Sequence, residues 1–376
     1  MLDERIKPWI GFNLVKGIGP VRLKTLVEHF GSVGAAWGAT ANELRQTSLG
    51  AKLIESMLEV RSSGALNRTW DYLQQNKIGV LTWQEAGYPR YLMQIDLPPP
   101  VLYVRGELCD EDDWAVAVVG TRRMTKYGRQ AAQDVAGILA RNGITVVSGL
   151  ARGIDSVAHR QSLESNGRTL AVLGCGIDRV YPPENRDLAE QISLQGAVIT
   201  DYAPGTKPEA SNFPARNRII SGLARAVVVV EAGSRSGALI TASFAADQGR
   251  EVLAIPGNIF TPSSKGTNRL IQQGAHPMLD PQDILELLNL EMINEHRSAR
   301  TALPEDATEA QLYHILGREA LHVDEIRAQS NLPIEKVTAT LTLMELKGII
   351  RQVGAMHYVA VHESFGDYNI EENKPG

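Results

Sequence analysis

Cysteine is scarce in this 376-residue chain, which carries only Cys109 and Cys175. Two cysteines provide neither a disulfide framework nor a zinc-binding set, so we expect a reducing, cytoplasmic location and no metal or other cofactor. The sequence also lacks an apolar run long enough to span a membrane and lacks a signal-peptide pattern at its start, which predicts no membrane association. Aromatic residues make up 6% of the chain, and they form no continuous row of base-stacking rings.

An excess of charge of one sign is missing as well. The chain has 38 Lys and Arg against 43 Asp and Glu, and its net charge of −5 argues against a uniformly basic coat for nucleic acid. The charge is unevenly distributed, because residues 120–160 hold seven basic residues against two Asp, whereas residues 283–376 hold eight against sixteen acidic residues. We therefore expect a local basic surface in the middle of the chain, which can bind a polyanion although the whole protein is acidic.

The first segment, residues 1–75, has apolar residues at helical spacing on both sides of a tight turn, Lys-Gly-Ile-Gly-Pro at 16–20. This pattern is typical of a helix-hairpin-helix element, and it predicts a helical, SAM-like domain. Backbone amides at such a turn can hold a DNA phosphate without reading sequence. A helical hairpin that needs its glycines only to turn explains the same residues equally well.

Residues 76–290 alternate short apolar runs with amphipathic stretches, which predicts an α/β domain with a mostly parallel sheet. The runs expected to be strands are residues 78–82, 101–104, 115–119, 144–147, 170–173, 226–230 and 252–255. Five of them lead into glycine-rich loops, at residues 120–123, 148–153, 174–176, 231–237 and 256–258. Because ligands bind outside the carboxyl ends of parallel strands, we expect these loops to converge on one binding edge.

Arginine and small residues recur in and near these loops, a composition that suits phosphate. Glycine lets backbone N–H groups approach an anion, and arginine supplies a forked, charged donor. The candidate phosphate-binding residues are Arg122, Arg123, Arg152, Arg216, Asn217, Arg218, Ser236, Gly237 and Lys265. Phe213 begins the stretch that contains three of them. The aromatic residues near the loops are Phe213, Tyr202, Tyr181 and Phe260, and we expect a base to stack on one or two of them. The alternative is a set of solvated arginines beside structural glycines.

Two further patterns resemble parts of catalytic or metal sites. Asp155 and His159 lie four residues apart on one helical face, a spacing that suits a general base or half of a metal site. No third ligand lies nearby, and a structural role explains the pair better, with Asp155 at the helix start and His159 packed. Cys175 has no base partner and is expected to be a small buried side chain. We therefore expect no catalytic residues.

Five motifs follow one another in the α/β segment. They read Val-Val-Gly-Thr-Arg at 118–122, Val-Ser-Gly-Leu-Ala-Arg-Gly-Ile-Asp at 147–155, Ala-Val-Leu-Gly-Cys-Gly at 171–176, Phe-Pro-Ala-Arg-Asn-Arg-Ile-Ile-Ser-Gly-Leu at 213–223 and Ser-Gly-Ala-Leu-Ile-Thr-Ala at 236–242. This ordered set resembles the DNA-processing protein A (DprA/Smf) family and covers the whole core. The resemblance implies an extended Rossmann-like domain over residues 76–290.

The resemblance also implies a function. Members of the family bind single-stranded DNA in a basic pocket, load the recombinase RecA onto it during natural transformation, dimerise through the core domain and catalyse no known reaction. Carried onto this sequence, the pocket would use Gly120, Thr121, Arg122, Gly149, Arg152 and residues 213–218. Some members use a lysine shortly after a Tyr-Pro motif. Here Tyr181-Pro182 is followed by Pro183-Glu184, and Arg186 is the candidate replacement.

The C-terminal part carries a different pattern. Residues 291–303 are polar and are expected to be a linker, and residues 363–376 are expected to be a disordered tail. Between them, residues 304–362 read as three helices and a hairpin, as in a winged-helix domain. The third helix, residues 334–347, has two lysines against two glutamates. We therefore expect it to contact protein or to regulate, and not to bind a DNA groove.

A nucleotide-binding, phosphoribohydrolase-like enzyme is the alternative function, since such enzymes have related Rossmann-like cores with Gly/Thr loops at the strand ends. They rely on a Pro-Gly-Gly-x-Gly-Thr loop and a glutamate in the following helix. The comparable loop here, residues 231–237, reads Glu-Ala-Gly-Ser-Arg-Ser-Gly, and no acid follows it until Asp247. This departure favours the DNA-binding interpretation.

Overall fold

The computed structural model describes residues 2–288, 307–316, 321–346, 350–352 and 356–360. These residues form two compact units, which divide after Leu288. The predicted linker, 291–303, and the predicted tail, 363–376, lie outside the described residues. The predicted boundary between the helical segment 1–75 and the core 76–290 falls inside the first unit and stays a prediction.

Helices α1 to α6 precede the first strand of this unit. Their bounds are Lys7–Leu14, Pro20–Phe30, Val33–Gly38, Ala41–Leu44, Ala51–Ser62 and Ala65–Gln75. Pro20 occupies the first turn of α2, where a missing N–H breaks no helical hydrogen bond, and Gly31 follows the helix with a φ of 80°. Asn13 joins α1 to the sheet, because its amide donates to the carbonyl of Asp201 (3.1 Å) and accepts from the Tyr103 hydroxyl (2.9 Å). The helices and the sheet therefore share one hydrophobic core.

Nine strands of the first described unit form one sheet, in the order β1-β2-β6-β5-β4-β3-β7-β8-β9. Their bounds are Gly79–Thr82, Val101–Gly106, Ala115–Val119, Thr145–Ser148, Thr169–Val172, Ala197–Thr200, Ala226–Val229, Glu251–Ala254 and His276–Pro277. The β1–β2 and β2–β6 pairs are antiparallel, and the other pairs are parallel. The prediction of a mostly parallel sheet that β1 and β2 extend is confirmed, whereas β6 and β9 were not predicted.

Both faces of the sheet are covered, which explains the continuous apolar runs of its strands. Successive residues of β5 enter different hydrophobic clusters, with Ala171 in one and Leu170 and Val172 in the other. The remaining helices of this unit are α7 Arg90–Met93, α8 Lys126–Arg141, α9 Ile154–Glu164, α10 Arg186–Gln195, α11 Asn212–Gly222, α12 Ala238–Asp247, α13 Lys265–Gln272 and α14 Asp283–Leu287. Helix α11 begins at Asn212, so Phe213 lies in its first turn.

The chain changes direction between β3 and β7. Strands β3, β4, β5 and β6 follow one another towards one side of the sheet, whereas β7 and β8 lie on the other side of β3. In open α/β sheets, such a reversal opens a crevice outside the carboxyl ends of the two strands, because the following loops turn away from each other. The topology thus places the binding crevice between the loops that follow β3 and β7.

The second unit has the predicted winged-helix pattern. Its described helices are Ala307–Ile315, Val323–Ser330 and Ile334–Leu346, and its strands are β10 Leu321–His322, β11 Ile350–Gln352 and β12 His357–Ala360. The strands pair in the order β10-β12-β11. Leu312, Ile326 and Val337, one from each helix, are fully buried in its core. Because the three helices pack on one another through these residues, the unit has a hydrophobic core of its own.

Candidate nucleic-acid interface

A cavity of about 840 Å³ opens at the switch point of the sheet. Its wall comes from the loops after β3, β4 and β7, from Pro208 and Ala210 and from the first turns of α11 and α12. Of the described residues that line it, four are arginines and one is acidic, namely Arg122, Arg123, Arg216, Arg235 and Asp155. The balance of charge makes the cavity a site for an anion.

Three of these arginines are exposed, Arg122, Arg123 and Arg235. None of the three makes an ion pair with a carboxylate in the described part of the chain. Their guanidinium groups therefore keep their donors for a ligand or for water. Arg235 is a site residue that the sequence analysis missed, although it belongs to the same loop as Ser236 and Gly237.

Aromatic rings line the cavity beside Arg122. Its guanidinium carbon lies 5.5 Å from the centre of the Phe213 ring, and the rings of Phe213 and Tyr181 lie 5.3 Å apart at an interplanar angle of 40°. Cation–π attraction holds such an arginine over a ring while its N–H groups stay available. The cavity thus combines an arginine, whose N–H groups can donate to a phosphate, with two rings on which a base can stack. Tyr181 is one of the four aromatic residues near the loops that the sequence analysis named as stacking surfaces.

Backbone hydrogen bonds fix the loop after β3. The Thr121 N–H donates to the carbonyl of Glu231 (2.7 Å), and the Arg123 N–H donates to the Thr121 hydroxyl (3.2 Å). Gly120 packs so closely on Ile154 that a Cβ at residue 120 would lie 2.5 Å from its Cγ1. These contacts hold the loop in the conformation in which Arg122 and Arg123 line the cavity.

The starts of α11 and α12 are joined to each other. The Asn217 side-chain amide donates to the carbonyl of Gly237 (3.3 Å), and the Ser236 hydroxyl accepts from the N–H of Ala238 (3.3 Å). Asn217, Ser236 and Gly237 all line the cavity, as does Phe213. Two helix starts therefore face the same space, and the positive ends of their dipoles favour an anion there.

Arg216 has a different role from its neighbours, because it is buried under the cavity with 4% of its surface exposed. Its guanidinium donates to the carbonyls of Gly149 (2.8 Å) and of Val172, and so ties β4 to β5. The Asp155 carboxylate accepts from the N–H groups of Gly149 (3.2 Å) and Ala151 (3.3 Å). Gly149 has no room for a side chain, since a Cβ would lie 2.7 Å from Arg216 Nη2. Direct DNA contacts by Gly149 and Arg216 stay predictions, and the geometry favours support of the cavity floor.

Burial sets the ionisation states of Asp155 and His159. Burial raises the pKa of Asp155, and the charge of Arg216 opposes that rise. Burial, reinforced by the same charge, lowers the pKa of His159 to about 3, so its ring is neutral. His159 Nδ1 lies 2.7 Å from the Thr169 hydroxyl, and its hydrogen bond is with that residue and not with Asp155. The pair is therefore structural, and within the described residues no cluster of His, Cys, Asp and Glu is suited to a metal ion.

Four other predicted residues do not line the cavity. The exposed Arg152 pairs with Glu184, and Arg218 pairs with Asp201 (2.7 Å) and donates to the carbonyl of Leu97. Arg186, at the start of α10, and Lys265, at the start of α13, are exposed. DNA contacts by these four residues stay predictions.

Glu231, in the loop after β7, has a structural role. The residue is buried with 3% exposed, and its Oε2 accepts from the N–H of Thr125 (2.9 Å). Its carboxylate lies against Gly128, where a Cβ would clash with it. The acid of this loop therefore holds the start of α8 and does not face the cavity.

A Rossmann-like sheet with an arginine-lined crevice at its switch point, followed along the chain by a winged helix, defines the class of this α/β protein. The model of the family described as DNA recombination-mediator protein A matches residues 79–289, and that of the DprA winged helix domain matches residues 296–356. The chain belongs to the DNA-processing protein A (DprA/Smf) family. It is thus among the recombination mediators and not among the enzymes.

Individual relatives agree with this membership. Protein Smf of Synechocystis is 36% identical over 93% of this chain and 97% of its own length. The X-ray structure of DNA processing protein A from Streptococcus pneumoniae superposes with a TM-score of 0.66 at 33% identity, over 74% of this chain and 97% of that one. The Helicobacter pylori protein, described for its single-stranded DNA binding mode, gives 0.52 at 29% identity, over 57% and 97%. In the described residues, no helix is long and apolar enough to cross a membrane.

Proposed function

We propose that this protein binds single-stranded DNA in the crevice and loads RecA recombinase onto that strand in natural transformation. It acts in the cytoplasm as a homodimer that assembles through the Rossmann-like core. Membership of the family supports the proposal, as does the Helicobacter pylori relative, which is described as binding single-stranded DNA.

The observation that carries the DNA-binding proposal is the arrangement of Arg122 over Phe213, with Tyr181 beside it. A phosphate group bound by Arg122, Arg123 or Arg235 brings the attached base to these rings. Bases in a duplex are stacked and paired, so only a single strand can offer its base faces to the cavity. Selectivity for single strands follows from the rings, and affinity follows from the phosphate contacts.

The test is the binding of a labelled single strand of about 20 nucleotides across a salt series, with the same sequence as duplex. We expect binding to fall as salt rises and to be weaker for the duplex. Arg122→Ala should weaken binding and lower the slope of log affinity against log salt by about 0.7, the value of one phosphate contact on a single strand. Arg129, exposed on α8 and outside the cavity, provides the matched control Arg129→Ala. No binding by the unaltered protein at low salt would overturn the proposal.

RecA loading has a separate readout. The protein should accelerate the assembly of RecA filaments on a strand already covered by single-strand-binding protein, and Arg122→Ala should lose the effect in proportion to its DNA affinity. Sedimentation measures whether the protein is a dimer, independently of the RecA assay. DNA binding without acceleration of RecA assembly would remove RecA from the proposal and leave the DNA site in place.

A further inference from the structure

A loop at the carboxyl end of β8 presents two large apolar side chains to solvent. Phe260 is 85% exposed and Ile259 is 70% exposed. Hydrogen bonds fix the loop, since Asn268 donates to the carbonyl of Gly257 (2.9 Å) and accepts from its N–H (3.1 Å). The N–H of Phe260 donates to the Asn258 side chain (2.9 Å). The ring is therefore held outward by a defined backbone.

This loop is continuous with the wall of the cavity. The N–H of Gly266 donates to the carbonyl of Ala232 (2.8 Å), in the segment that also carries Arg235. The Tyr127 hydroxyl, from the start of α8, donates to the carbonyl of Pro256 (3.0 Å). Tyr127 is itself 55% exposed. Strand β8 is two strands from β3, a distance of about 10 Å at the usual strand spacing. The Phe260 loop thus lies next to the crevice on the same edge of the sheet.

The charge near the loop favours an anionic partner. Residues 256–268 contain no Asp or Glu and one basic residue, Lys265, which is exposed at the start of α13. Arg235 lies in the adjoining loop. The surface area of two apolar side chains is far smaller than the roughly 800 Å² that each partner buries in a stable protein interface. A nucleobase needs only one ring face and brings a phosphate for the neighbouring cation.

We propose that Phe260 is a second base-stacking position, which extends the path of the single strand beyond the cavity towards β8, with Lys265 binding the phosphate beside it. This inference rests on the proposed binding of single-stranded DNA to the crevice. It assigns Lys265 a place on the DNA path although the residue does not line the cavity. A strand must be long enough to reach from Phe213 to Phe260 to use both ring positions.

The experiment measures the affinity of two oligothymidylates, of about 6 and about 15 nucleotides, for Phe260→Ala, Phe260→Tyr and the unaltered protein. Stacking of one base on a ring accounts for about a tenfold difference in affinity, so Phe260→Ala should bind the longer strand about tenfold more weakly and the shorter strand equally well. Phe260→Tyr should bind both strands as the unaltered protein does. Leu194, also 85% exposed but on α10, provides the control Leu194→Ala, which should change neither affinity.

The outcomes separate the two proposals. If the unaltered protein binds the longer strand and Phe260→Ala binds it equally well, the extension is refuted while the crevice site stands. If Phe260→Ala changes only the sedimentation behaviour, the loop is a contact between copies of this chain and not a stacking position. If the unaltered protein binds neither strand, the crevice and its extension are both refuted. A strand carrying 2-aminopurine adds a direct readout, because its fluorescence should rise in Phe260→Ala at the position that stacks on this ring.

Discussion

Replacing Arg216 by methionine separates support of the site from contact with DNA. The guanidinium is buried and donates to the carbonyls of Gly149 and Val172, and the charge of Asp155 lies close by. Methionine fills much of the space of the arginine stem but supplies neither donors nor charge. The substitution therefore removes the link between β4 and β5 and leaves the buried Asp155 without its positive neighbour.

The expected cost in the free energy of unfolding is about 3 kcal/mol, at the low end of what is lost when one member of a buried charged pair is removed. The double variant Arg216→Met with Asp155→Asn should recover part of that loss, because an uncharged side chain no longer needs the cation. Its amide oxygen can still accept from the N–H groups of Gly149 and Ala151. Arg122→Ala, at an exposed position, should leave stability nearly unchanged.

The assay combines denaturant unfolding with single-strand binding across a salt series. Arg216→Met should unfold at lower denaturant, yet the fraction that stays folded should bind with the salt slope of the unaltered protein. Unchanged stability together with a slope lowered by about 0.7 would refute this reasoning and make Arg216 a direct phosphate contact. The double variant distinguishes charge from packing, since a pure packing defect would not be relieved at Asp155.

Two further predictions concern neighbouring groups. Arg218→Ala should lower stability by about 2 kcal/mol, because it breaks a largely buried pair with Asp201, and it should leave the salt slope unchanged; a lower slope would identify Arg218 as a phosphate contact. The His159 pKa is about 3 in the folded chain against 6.5 when unfolded, so below pH 6.5 the unfolded state binds the extra proton and stability falls with falling pH. The loss should be about 1.4 kcal/mol per pH unit from pH 6.5 towards 3, and His159→Gln should remove it between pH 6.5 and 5; equal pH profiles for the two proteins would contradict this.

The strands were predictable because both faces of the sheet are buried. A strand covered on two sides is apolar at every position, so β3 was predicted at its observed bounds, Ala115–Val119. Strand β6 was missed although it is equally buried. Strand β9 has two residues, too few for a pattern. The order that places β6 beside β2 depends on contacts between distant segments, which no local pattern records.

The convergence of the glycine-rich loops was predictable from chain topology, whereas the role of each arginine was not. Arg216 and Arg218 are two residues apart in α11, and residues at that spacing point to different sides of a helix. They cannot serve one crevice equally. The sequence contained this restriction, but the side on which each residue lies depends on how α11 packs against β4 and β5.

The positions of the Asp and Glu side chains determine which arginines near the crevice are paired. Each buried or paired arginine near the crevice has its carboxylate on a remote segment: Arg152 meets Glu184 and Arg218 meets Asp201, while Arg216 lies close to Asp155. Among the described residues, Arg122, Arg123 and Arg235 have no such carboxylate, and all three line the cavity. An arginine without an ion pair keeps its N–H donors for a ligand or for water. The exposed arginines that line the cavity are thus those without a carboxylate partner, and a sequence pattern does not record which arginines these are.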